Sequence, residues 1–146
     1  MSTATVTEQE PDQALSVAAV RSWLAVLAGP SPEVDDQTRV ELLGLLESLK
    51  GAAAAAQARV SVDFANSQIT QRLADGVPVE KAGAGLAAQV ALARRESPSR
   101  GSRHLGLARA LVEEMPHTMA ALSAGLITEW TATVVARATA CLTVED

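Results

Sequence analysis

No proline interrupts the chain between Pro32 and Pro78, and that interval is rich in leucine and alanine. Alanine is the best helix former. The acidic side chains of Glu33, Asp35 and Asp36 suit the positive end of a helix dipole. A helix is therefore expected to start near Glu33 to Asp36 and to run until the stop signal Asp75-Gly76-Val77-Pro78. Over residues 34–74, at 1.5 Å per residue, it would be about 60 Å long, more than a compact domain of this size spans. Either part of it projects and pairs with another chain, or Gly51 and the alanine run after it mark a bend where a neighbouring helix crosses closely. Leu42, Leu46, Leu49, Ala53, Ala56 and Val60 follow the four-three spacing of a heptad seam, which makes them candidates for a homodimer interface. The alternative is a plain helix in a monomeric core.

The remaining punctuation divides the chain into shorter helices. A disordered tail is expected to about Pro11, followed by a helix capped by Asp12 and running through Ala28, with Gly29-Pro30-Ser31-Pro32 ending it. Three glycines and a proline make Asp75 to Gly85 the candidate flexible loop. Its Gly83-Ala84-Gly85 is not a phosphate loop, because no strand precedes it and no Gly-Lys-Ser/Thr follows. Leu86 to Arg95 reads as a helix with Leu86, Val90 and Ala93 on one face. Ser97-Pro98 is an N-cap followed by proline at the first helical position. In the helix that starts there, Gly101, Leu105, Ala108, Leu111, Val112 and Met115 gather on one side until Met115-Pro116 closes it. Gly125 suits the left-handed position after a helix end. Thr128 and Glu129 suit the cap and first turn of a last helix, whose Trp130, Val134, Ala138, Cys141 and Leu142 form an apolar stripe.

These signals give an all-α fold: a multi-helix bundle with one long Ala/Leu-rich helix and a C-terminal cluster of shorter helices. Residues 12–146 are expected to form a single helical domain. Hydrophobic residues make up 48% of the 146, enough for a sizeable core, while Phe64, Trp23 and Trp130 are the whole aromatic set. The polar N-terminus lacks the basic start and apolar run of a signal peptide, and no apolar stretch reaches the roughly 20 residues that cross a membrane. A lone Cys141 implies no disulfide framework. Together these features suggest a cytoplasmic protein with no membrane partner.

The net charge of −5 lies in the first part of the chain. Arg94, Arg95, Arg100, Arg103 and Arg109 face only Glu96 in their stretch of sequence, which makes them the candidate nucleic-acid-binding cluster and DNA the candidate partner. Arg100 and Arg103, with Ser99 and Ser102, lie in the first turns of a helix, where a groove-reading helix would present them. Three alternatives stand beside this. Arg94 and Arg95 suit a helix C-terminus, Arg109 can pair with Glu113 four residues on, and arginines on an exposed helix are commonly a solvated face. His104 reads as a boundary residue, His117 as a surface residue and Cys141 as a core thiol. Ser97, Ser99 and Ser102 lack a histidine base with an orienting carboxylate, so no hydrolase triad is assembled.

The segments AAQAR ending at Arg59, SPSRGSRHLGLARALVEEMP and ALSAGLITEWTATVVARAT together resemble the actinobacterial domain of unknown function 222. The resemblance covers about Val34 to the C-terminus. This family occurs in repeat-family proteins that often carry an HNH endonuclease module further along. The resemblance implies a non-catalytic accessory domain, because nuclease chemistry belongs to that module. His104 and His117 sit in no metal-ligand pattern, so no catalytic residue, metal or cofactor is expected in this chain. The two functional expectations are a DNA-holding accessory domain and, alternatively, a helical oligomerisation or protein-interaction module.

Overall fold

The structure is a computed structural model and describes residues 14–142. It is all-α. The elements are α1 (Val17–Leu27), α2 (Asp36–Ala74), α3 (Val79–Ala82), α4 (Leu86–Ala93), α5 (Pro98–Arg109), a π-helical turn (Ala110–Glu114), α6 (Pro116–Ser123) and α7 (Glu129–Leu142). The chain divides into two units, Met1–Asp35 and Asp36–Asp146. In the first, α1 begins at Val17 because Ser16 caps it, its hydroxyl accepting from the Ala19 N–H at 3.0 Å. The expected cap at Asp12 and the expected tail to Pro11 lie outside the described residues. No residue of α1 is buried.

In the second unit α2 is one continuous helix, as its freedom from proline permits. Its buried residues are Gly51, Ala54, Ala55, Ala58, Val62 and Ala65. Ala54, Ala55, Ala58 and Val62 meet Ala108, Leu111, Met119, Leu122 and Ala132 in the main core. Further along, Ala65 meets Leu86 and Leu105 in a second cluster. Alanine and glycine on this stripe let the neighbouring segments approach closely. A Cβ on Gly51 would lie 2.8 Å from the Ile127 carbonyl oxygen, and one on Gly125 would lie 2.6 Å from the Ser48 carbonyl oxygen. The α6–α7 turn is thus seated directly on α2. In the same way a Cβ on Gly101 would lie 2.4 Å from the Ala91 Cβ, where α5 crosses α4. The bend with a crossing helix expected at Gly51 is corrected: α2 runs on without a break, and it is the α6–α7 turn that approaches closely there.

Helix ends follow one recurring device. After α2 and α6 the chain enters the left-handed region at Gly76 and Gly125, and the following amide reaches back to the last turn, Val77 to Arg72 O and Leu126 to Ala121 O. After α4 the same position is held by Arg95 (φ 57), with the Glu96 N–H donating to Ala91 O at 2.8 Å. Among the described residues Arg95 is the one side-chain-bearing residue with positive φ.

Several sequence expectations need correction. The loop Asp75–Gly85 is structured: it contains α3, buries Ala82, and is held by Arg72, whose Nη1 donates to the Ala82 and Ala84 carbonyls at 3.0 and 2.7 Å. In α4 the buried set is Leu86, Val90 and Ala91, while Ala93 is exposed, because Gly101 brings α5 against Ala91. The α5 helix gives way after Arg109 to the π-helical turn before Pro116, so Leu111 is buried while Val112 is exposed. Trp130, Val134, Ala138 and Cys141 of the stripe foreseen on α7 point outward. Trp130 is 68% exposed, Val134 and Cys141 are also exposed, and Ala132 is the buried residue. Seating the α6–α7 turn on Gly51 selects the small face of α7, and the large apolar face is left to solvent.

These close approaches set the stability. Gly51→Ala and Gly101→Ala should each lower unfolding free energy by about 1–3 kcal/mol, because the added methyl meets backbone that must shift. Gly44→Ala, with nothing within 4 Å of the new Cβ, should instead raise it by about 0.5–1 kcal/mol through helix propensity. Urea melts of the three variants check this, and equal effects at all three sites would contradict it.

Candidate functional site

The five arginines do not share one surface. Arg94, the C-cap of α4, has a side chain only 17% exposed, with Nε 3.6 Å from Glu96 Oε2 and Nη2 3.6 Å from Glu129 Oε1. Arg95, Arg100 and Arg103 are exposed, and none of them makes an ion pair among the described residues. Arg103 Nε donates to Ser99 O at 3.5 Å, and Ser97 caps α5 by accepting from the Arg100 N–H. Arg109 is half-buried and lies nine residues beyond Arg100, about 180° around the helix. It forms no ion pair with Glu113 among the described residues.

Arg94 belongs instead to a cluster of four polar side chains, with Glu96, His104 and Glu129, that joins three elements. His104 of α5 places Nε2 3.2 Å from Glu96 Oε2 and Nδ1 3.2 Å from Glu129 Oε1. Both ring nitrogens thus face carboxylates. The Arg94 Nε and Glu96 Oε2 atoms are buried without a hydrogen-bond partner. The cluster ties the first residue of α7 to the α4–α5 junction. Beside it lies a cavity of about 10 Å³ lined by Ser61, Arg94, His104, Glu129 and apolar residues. Small-molecule sites are typically about 300–1,000 Å³, so this cavity holds no substrate of that kind. Among the described residues no group of three or more histidine, cysteine, aspartate or glutamate side chains is placed to hold a metal ion.

The predicted seam lies on the opposite side of α2 from the core. Leu49 and Gly51 are two positions apart, about 200° around the helix, and the same offset separates Ala53 from Ala55, Ala56 from Ala58 and Val60 from Val62. Leu46 and Leu49 are 42% and 44% exposed. Ala53 and Val60 are exposed, and Leu42 and Ala56 are half-buried. Val40, Leu43 and Leu45 are exposed as well. The first turns of α2 therefore carry a broad apolar surface that nothing in the second unit covers.

Sequence reasoning missed the polar cluster. It read His104 as a residue at the edge of the core and Glu129 as a first-turn residue of the last helix, and it noted Glu96 only as the one acidic residue among the arginines. Nothing local brings Glu129 back to His104, because that contact follows from where the α6–α7 turn is seated.

Fold and surfaces together define an all-helical module with a small-residue core and an apolar outer helix face. The chain belongs to the family described as domain of unknown function (DUF222), which matches residues 46–146. No curated protein and no solved structure matches the chain. No helix among the described residues is long and apolar enough to cross a membrane.

A double-mutant cycle checks the cluster. His104→Ala and Glu129→Ala should each destabilise by about 1–3 kcal/mol, since each removes a partner from a partly buried polar cluster. Their combination should cost less than the sum by at least about 0.5 kcal/mol. Strict additivity would contradict the link between α5 and α7.

Proposed function

We propose that this domain is a non-catalytic helical interaction module that associates through the outward face of α2, and that it serves as an accessory part of a longer, HNH endonuclease-like protein. The observation that carries the reading is the exposure of Leu45, Leu46, Leu49 and Val60 on the side of α2 turned away from the core. Single exposed leucines are ordinary, whereas a contiguous apolar run on one element marks an interaction surface. The non-catalytic part and the endonuclease context rest on the family resemblance.

A second reading, DNA contact, rests on Arg95, Arg100 and Arg103, which are exposed and have no carboxylate partner among the described residues. Arg95 also occupies a left-handed position that glycine would fill without strain. Arg94 is withdrawn from this surface by its two glutamates.

Sedimentation equilibrium tests the first reading. The chain should self-associate in a concentration-dependent way, and Leu46→Glu/Leu49→Glu should be a folded monomer, because both side chains are already substantially exposed. A wild-type monomer at millimolar concentration would contradict it. Fluorescence anisotropy with duplex DNA tests the second. Binding that falls steeply with salt and is lost in Arg100→Glu/Arg103→Glu would establish it. No binding at tens of micromolar would remove it.

A further inference from the structure

The four-three spacing of the exposed stripe continues one position beyond each end of its apolar part. Arg39 stands three residues before Leu42, and Asp63 stands three after Val60. Both belong to the unbroken helix α2 and both are exposed. The full series is Arg39, Leu42, Leu46, Leu49, Ala53, Ala56, Val60, Asp63, and its spacing reads the same from either end. Large apolar residues and a cation fill the first half. Small residues, a valine and an anion fill the second.

Resting on the reading of this face as a pairing surface, we infer that its occupant is a second copy of the same helix, running antiparallel about a two-fold axis level with Gly51. In that arrangement Leu49 lies opposite Ala53 of the second copy, Leu46 opposite Ala56, Leu42 opposite Val60 and Arg39 opposite Asp63. Each layer then combines a leucine with a smaller residue, so the two helix axes keep a near-constant separation. Large-against-small pairing is the way facing helices fill space without voids. The symmetry repeats every layer, and both ends of the interface carry an Arg–Asp pair.

The parallel alternative fails on the same residues. It sets leucine against leucine at one end and alanine against alanine in the middle, which forces the helices apart and then leaves a gap. It also places Arg39 against Arg39 and Asp63 against Asp63. Slipping the antiparallel pair by one heptad sets Arg39 against Ala56 or Asp63 against Leu46, burying a charge without a partner. Charge and volume therefore select one orientation and one register. Arg39 already meets the exposed Asp36 of its own helix. Surface pairs of that kind contribute little, so Arg39 remains able to turn to Asp63 across the interface. One feature opposes the arrangement: the two Lys50 side chains flank the axis on the same side. Each is bridged by Glu47 of its own helix at 3.1 Å, which offsets their repulsion. The face directed at the second copy contains no core residue, so pairing leaves the bundle intact.

Disulfide trapping tests orientation separately from association. In a Cys141→Ser background, Leu42→Cys and Val60→Cys variants are prepared singly and mixed under mild oxidation by a copper–phenanthroline catalyst and air. Along α2 the two positions are about 27 Å apart. The antiparallel dimer gives a mixed disulfide joining one Leu42→Cys chain to one Val60→Cys chain, and no product from either variant alone. A parallel dimer gives each self-linked product, which overturns the inference while leaving self-association standing. A sedimenting dimer that traps in neither way uses another surface and also overturns it. A chain that stays monomeric at millimolar concentration overturns both the inference and the reading beneath it. As a check that does not rely on cysteine, Arg39→Asp should weaken dimerisation about tenfold, and Arg39→Asp/Asp63→Arg should restore it. Failure of the double exchange to restore affinity would remove the cross-interface pair.

Discussion

The seating of the α6–α7 turn on α2, glycine against backbone at Gly51 and Gly125, is the contact on which the other placements depend. It fixes where α7 begins, and so brings Glu129 to His104 and Arg94. It also decides which face of α7 turns inward, and hence that Ala132 is buried while Trp130 and Val134 are not. Close helix approach compensates for side chains that carry little hydrophobic payload. An alanine contributes roughly what one buried methylene does, about 0.8 kcal/mol, and the largest fully buried side chains are only Leu86, Leu111 and Leu122. With such a thin core, tight packing and the polar tie between α5 and α7 hold the elements in place.

The long helix has two chemically distinct faces. On one, glycine, alanine and valine at Gly51, Ala55, Ala58, Val62 and Ala65 accept the neighbouring segments at close range. On the other, leucines and small residues follow the same four-three spacing, displaced by about 200°, and remain uncovered. One sequence period thus serves two surfaces: the small-residue face builds the domain, and the large-residue face is available for a partner. The excess length of α2 over the bundle follows from the same division, since its first turns carry apolar residues with nothing in the second unit to pack on.

Much of the fold was legible in the sequence because its helix signals are local. Ser97-Pro98, Met115-Pro116, Gly125 and Thr128 act within one turn of where they stand, and each marks a boundary in the structure. The faces were less legible. For the long helix the large apolar residues drew attention to the stripe through Leu42 and Val60, while the core is made of alanines whose small size conceals their burial. On α7 the same bias chose Trp130 and Val134 over Ala132. The polar cluster was not legible at all, because Glu96 and Glu129 converge on His104 through tertiary contacts. Arg94 lay in the foreseen basic group, but its carboxylate partners could not be read from spacing.

The division of α2 into a core face and a pairing face is the central claim, and hydroxyl-radical footprinting across a range of protein concentrations tests it most directly. Val62 should be protected from labelling at every concentration, while Leu46 and Leu49 should label readily in dilute solution and become protected as concentration rises. Labelling of Leu46 and Leu49 that stays constant up to millimolar protein, or labelling of Val62 in the folded chain, would contradict the account.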